Sequence, residues 1–166
     1  MCIGLVLGMA GDVFLNLPLC DPKRKDLWFL AGLGSFLLGH LAYVYALYRT
    51  DRTTSMIMIV SGAVISFALL MILQKKGIVK LDQMFVPAFM YAIVILFFEF
   101  QCFSWLIMEL QPFTILLNAG SLLFVISDLI LLFILFGNQN TRKMSCLNLS
   151  TYYAAQVCLA TTILLF

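Results

Sequence analysis

Asp12, Glu99 and Asp128 each interrupt a stretch of sequence that is otherwise almost wholly apolar. An ionised carboxylate near the centre of a hydrocarbon-embedded helix costs several kcal/mol unless it is paired, protonated or hydrated, so these acids are the first places to look for chemistry. Two carboxyl groups brought together in a low-dielectric site do not both ionise readily; one keeps a proton while the other stays anionic. Such a pair can protonate a substrate with one member. The other steadies the cation that forms and takes a proton from attacking water, a division of labour known from glycosidases.

The acids can cooperate only if the elements that carry them bring them to one depth. Of the 166 residues, 63% are hydrophobic, 14% aromatic and only 11% charged, the composition of a membrane protein. At about 20 residues per span, this length accommodates about six helices and leaves nothing for an extramembrane domain. Six apolar runs are present, over about 1–17, 27–48, 55–73, 84–108, 113–136 and 149–166. Their length selects helix, because a spanning strand needs only about ten residues and alternates in polarity. The expected fold is all-α, a polytopic transmembrane helix bundle forming one domain over residues 1–166. Pro18 closes the first helix, Pro22 lies in the first connection, Pro87 in the first turn of the fourth helix, and Pro112 just before the fifth. The first run lacks a basic flank and carries Asp12, which argues against a cleavable signal peptide. No segment is low in complexity and no internal repeat is evident.

Lys and Arg are retained on the cytoplasmic side of a membrane. Connections one, three and five carry Lys23, Arg24, Lys25, Lys75, Lys76, Lys80, Arg142 and Lys143, whereas the other two hold only Arg49 and Arg52. The odd connections are therefore expected in the cytoplasm and both termini opposite. Asn148-Leu149-Ser150, formally a glycosylation sequon, would then escape modification. Counted from that side at about 1.5 Å per residue, Asp12 and Asp128 differ in depth by only about 4 to 5 Å. Gln156 falls at a comparable depth, with Tyr153 one turn nearer the cytoplasm on the same face. A polar layer of Asp12, Asp128, Gln156 and Tyr153 follows. Glu99 lies in the opposite half of the bundle and is read as a protonated or Gln101-bonded acid at a helix contact.

His40 shares a helix face with Phe36 and with Tyr43. Gly4, Gly8 and Gly11 form a ridge of small residues that lets another helix approach closely and seats Asp12 in a tight contact. The cysteines, Cys2, Cys20, Cys102, Cys146 and Cys158, are scattered singly and read as packing. With one histidine and no Cys-x-x-Cys pair, catalytic zinc is not expected, and no other cofactor is indicated. A net charge of +2 offers no basic surface for nucleic acid. The basic connections would lie at the headgroup plane, above the polar layer.

Five ordered fragments resemble the signature of the YhhN-type lysoplasmalogenases: Gly11-Asp12-Val13-Phe14-Leu15; Phe29 through Gly32 with Phe36, His40 and Tyr43; Pro87 with Tyr91; Gly120 through Ser127-Asp128; and Tyr153-Ala154-Ala155-Gln156. The resemblance covers about residues 11 to 156. It implies a multi-pass enzyme, of the endoplasmic reticulum if eukaryotic and of the inner membrane if bacterial. That enzyme hydrolyses the vinyl ether bond of lysoplasmalogens to a fatty aldehyde and glycerophosphoethanolamine or glycerophosphocholine. It implies Asp12 and Asp128 as the catalytic acids, with His40, Tyr43, Tyr91, Ser127, Tyr153 and Gln156 as substrate-positioning or polarising residues. The partners implied are a lysophospholipid substrate and membrane lipid. Family members carry at least one more helix ahead of the Gly-Asp motif, whereas here Met1 leaves ten residues before it, so that N-terminal helix is expected to be missing.

Two other classes use intramembrane acids. An aspartyl protease pattern, Gly-x-Gly-Asp, would require glycine where Met9 stands, and no Pro-Ala-Leu motif follows. A proton-coupled carrier would use the same acids as a relay, but broken helices or a repeat would be expected of it.

Overall fold

The structure, a computed structural model, describes residues 1–50, 56–137 and 141–165. Arg52 and the ends expected at Ser55 and Phe166 lie outside the described residues. The fold is the expected helical bundle: α1 (Cys2–Asn16), α2 (Lys25–Thr50), α3 (Met56–Lys75), α4 (Phe85–Met108), α5 (Pro112–Phe136) and α6 (Arg142–Leu165). The first five, α1, α2 and α4 with their flanking turns, are long and apolar enough to cross a membrane. The chain is an integral membrane protein.

Of the helix starts that differ from the expected ones, those of α5 and α6 have local reasons in the capping residues. Pro112 is the first residue of α5 instead of preceding it, because Gln111 and Thr114 cap the helix reciprocally one position earlier. The sixth helix begins at Arg142 and not near Leu149. The Thr141 hydroxyl accepts the Met144 backbone N–H at 3.2 Å, an N-cap that starts the helix within a polar segment where hydropathy marks nothing.

Which side chains face inward on α1 is the reverse of a soluble amphipathic helix. Gly4, Gly8 and Gly11 are buried while Ile3, Val6, Met9 and Val13 are exposed. Apolar side chains facing outward suit hydrocarbon, and small residues at the contact let backbones close in. A Cβ built on Gly39 of α2 would lie 3.2 Å from the Gly4 carbonyl oxygen, which measures how tightly α1 and α2 pack.

α1, α2, α4, α5 and α6 pack in that order into a closed ring, with α6 returning to α1. α3 leans on the outside of α4 and makes no close backbone approach to another helix. The ring encloses an aromatic core that includes Phe36, Tyr43, Phe98, Phe124 and Tyr152. A second cluster, Leu70, Leu73, Val79 and Leu81, packs at the end near connection three and the last turn of α5. There the Lys80 N–H donates to the Phe136 carbonyl at 2.9 Å, tying connection three to the last residue of α5.

The cysteines divide. Cys102 is fully buried and fits the packing reading, but Cys2, Cys20 and Cys146 are exposed. An outward-facing thiol suits lipid as readily as a methyl group does, so burial in protein is not required of it.

Candidate functional site

Asp12 and Asp128 line the same cavity, a space of about 420 Å³ whose lining includes Pro18 of connection one, Met84 of connection three and Phe136 at the end of α5. Asp12 is carried there by the last turn of α1. Gly8 and Gly11 on its inward face let α6 and α2 approach: a Cβ at Gly8 would meet the Gln156 amide at 3.0 Å, and one at Gly11 the Phe36 ring at 2.8 Å. Asp12 accepts a hydrogen bond from the Tyr152 hydroxyl through Oδ2 at 2.9 Å. The Gln156 side-chain amide donates to the Tyr152 oxygen at 3.0 Å, so the phenol is oriented from behind and its own proton is directed at the carboxyl.

Asp128 enters from α5, where it accepts a hydrogen bond from the Tyr91 hydroxyl of α4 through Oδ2. The neighbouring Ser127 also lines the cavity. Asn148 of α6 donates to the Ser127 carbonyl at 2.7 Å, and the Ser127 hydroxyl lies 3.2 Å from the Asn148 carbonyl. This reciprocal pair locks α5 to α6 beside the acid. It also engages the amide nitrogen of the sequon within a helix. Each acid thus receives one phenol on one oxygen, and among the described residues neither Oδ1 has a partner and neither carboxyl has a cation.

The remaining expected residues fall into two groups. Gln156 acts through Tyr152, and Tyr91 through Asp128, as described. His40 and Tyr43 lie behind the cavity in the aromatic core, 1% and 2% exposed, and line no part of it. His40 Nδ1 is 2.9 Å from the Phe36 carbonyl, an oxygen that can only accept, so Nδ1 carries the proton. The His40 ring is caged edge-on by Tyr43, Tyr91, Phe98 and Phe124, the last at 4.6 Å between centroids. It therefore buttresses Tyr91, which holds Asp128.

Tyr153 corrects the sequence reading. It is 56% exposed and turned away, while its neighbour Tyr152, 7% exposed, holds Asp12. The depth counted for Gln156 also fails, since α6 starts at Arg142. What brings Gln156 to the site is its four-residue offset from Tyr152, which stacks the two on one helix face. Ser145, Asn148, Tyr152 and Gln156 form a polar stripe at three- and four-residue spacing, a signal present in the sequence but masked by two adjacent tyrosines. Glu99 is bonded from α5, by the Asn118 amide at 3.2 Å and the Ser121 hydroxyl, and not by Gln101 two residues away on its own helix. Residues two apart on a helix do not face each other.

Lys25, Asp26 and Asn16 stand at the mouth of the cavity, and Phe29 and Phe36 form part of its wall. Among the described residues, no group of three or more His, Cys, Asp or Glu is placed to hold a metal ion. The arrangement presents two carboxyl groups, each oriented by a tyrosine, to one polar space whose mouth carries both Lys25 and Asp26.

Compared with known proteins, residues 1–163 match the model of the YhhN family. No match was found among curated proteins or among solved structures.

Proposed function

The chain belongs to the YhhN family, and from that premise we propose that it hydrolyses the vinyl ether bond of lysoplasmalogens, releasing a fatty aldehyde and a glycerophosphoethanolamine or glycerophosphocholine. The observation that carries the reading is that Asp12 and Asp128, far apart in the chain, line one cavity.

Cleaving a vinyl ether begins by adding a proton to its β-carbon, which leaves an oxocarbenium ion at the α-carbon. Asp128 supplies that proton and Asp12 stays anionic, steadying the cation. Water adds to the α-carbon while Asp12 takes one of its protons, giving a hemiacetal. The hemiacetal then collapses: its hydroxyl proton passes to Asp128, the bond to the glycerol oxygen breaks, and Asp12 returns its proton to that oxygen. Both acids are restored, and the sum is vinyl ether plus water to aldehyde plus alcohol. Tyr152 and Tyr91 each occupy one carboxylate oxygen and so aim the other at the substrate. Lys25 at the mouth, with Lys23 and Arg24 beside it in the chain and Arg142 and Lys143 at the start of α6, suits a phosphate headgroup held on the cytoplasmic side.

Purified protein in detergent, given a vinyl-ether lysophospholipid, should release fatty aldehyde. Absence of aldehyde from the unmodified protein overturns the reaction. Aldehyde release that survives both Asp12→Asn and Asp128→Asn overturns the two-carboxylate mechanism.

A further inference from the structure

A second space abuts the first. It is an open-sided cleft of about 140 Å³ between α2, α3, α4 and α5, and its lining is hydrocarbon except for Ser66, Tyr91 and Asp128. The two spaces share Phe29, Asp128, Leu131, Leu135 and Phe136, so no more than one layer of side chains separates them. Phe29 and Phe136 meet edge to face at 5.6 Å across that junction. Asp128 therefore has polar space on one side and apolar space on the other.

The cleft exists because of where small residues fall. Ala88 and Ala92 lie one turn apart on α4, facing Leu129 and Leu132 of α5, and Ser66 stands on α3. Among the described helices α3 approaches only α4 closely in backbone, which leaves the side between α3 and α5 bridged by side chains alone. The Ser66 hydroxyl is buried and, among the described residues, has no hydrogen-bond partner in this apolar surrounding. Along α5 the lining runs from Val125 to Phe136, about 16 Å at about 1.5 Å per residue.

We infer that this cleft is the hydrocarbon subsite of the enzyme: it takes the single aliphatic chain of the lysophospholipid, with Ala92 setting the room available and Asp128 at its polar mouth. The inference rests on the proposed reaction for its substrate and extends it by assigning each half of that substrate to a separate space. A chain bound in the cleft and a headgroup at Lys25 place the glycerol-to-chain linkage at the junction, which is where Asp128 stands. The Phe29–Phe136 pair has to part for one molecule to occupy both spaces. A chain longer than the cleft continues through the open side into the bilayer.

The test compares hexadecenyl and octenyl lysophospholipids as substrates and their saturated alkyl ether analogues, which cannot be cleaved, as ligands read by native mass spectrometry. Ala92→Phe fills the cleft, and should raise the ratio of long-chain to short-chain KM at least about tenfold, since several methylenes lose their apolar seat. Leu132→Ala enlarges it and should move the same ratio the other way, which a variant that merely misfolds does not do. Aldehyde release with the ratio unmoved in both variants overturns the subsite and leaves the reaction standing. Chain-length-dependent binding of the saturated analogues that responds to Ala92→Phe, without aldehyde from the unmodified protein, overturns the reaction and leaves the subsite standing.

Discussion

Asp128 and Glu99 are both acids inside the bundle, each held by a neighbouring helix across the α4–α5 contact, yet they are built differently. Glu99 has both carboxyl oxygens engaged, Oε1 by Asn118 and Oε2 by Ser121, and it lines neither cavity. Asp128 receives one phenol on one oxygen and faces space on two sides. Asp12 matches it, with one phenol and the same cavity. An acid with both oxygens held by its own protein, away from any cavity, fixes a helix contact. One that is half satisfied beside a cavity has an oxygen left for a substrate. The difference separates structure from chemistry where residue type alone does not.

The sharpest way to break that contrast is to neutralise each acid. Asp12→Asn and Asp128→Asn should each lower aldehyde release by about 10²–10⁴-fold, the usual scale for losing a general acid or base. Glu99→Gln, assayed alongside, should remain active. A Glu99→Gln protein as inactive as the aspartate variants would erase the distinction. Next in size is the tight packing that seats Asp12. Gly11→Ala drives a methyl group against the Phe36 ring and should cost about 1–3 kcal/mol of stability, seen as a lower melting temperature in detergent.

The two adjacent tyrosines sharpen the contrast further. Tyr152→Phe removes the donor to Asp12 and should slow turnover about tenfold, the scale of one hydrogen bond to a charged group. Tyr153→Phe, at an outward-facing position, should leave the rate unchanged. Equal effects of the two would show that α6 is turned differently from the arrangement described. The smallest effect expected is on stability at the second acid, where Glu99→Gln keeps the shape of the side chain but weakens its two hydrogen bonds, at a cost of about 1 kcal/mol by thermal unfolding.

The sequence by itself determined the membrane class, the helical bundle and the two acids to be examined. Hydrocarbon cannot satisfy backbone polar groups, so long apolar runs have to be helices, and every acid within them is an exception that can be read by eye. It also pointed to the small-residue face of α1, because only glycine permits such close approach. What it could not decide was rotation and partnership. Adjacent tyrosines have the same chemistry, and only the packing of α6 against α1 selects Tyr152 for Asp12 and turns Tyr153 away. Counting depth from helix ends fails when a threonine cap lengthens α6 through a polar segment. The cleft beside Asp128 depends on the α3 backbone lying close to α4 and not to α5, a matter of long-range helix contacts that no local pattern encodes. Composition dictates which groups must avoid lipid, and tertiary packing dictates which of them meet.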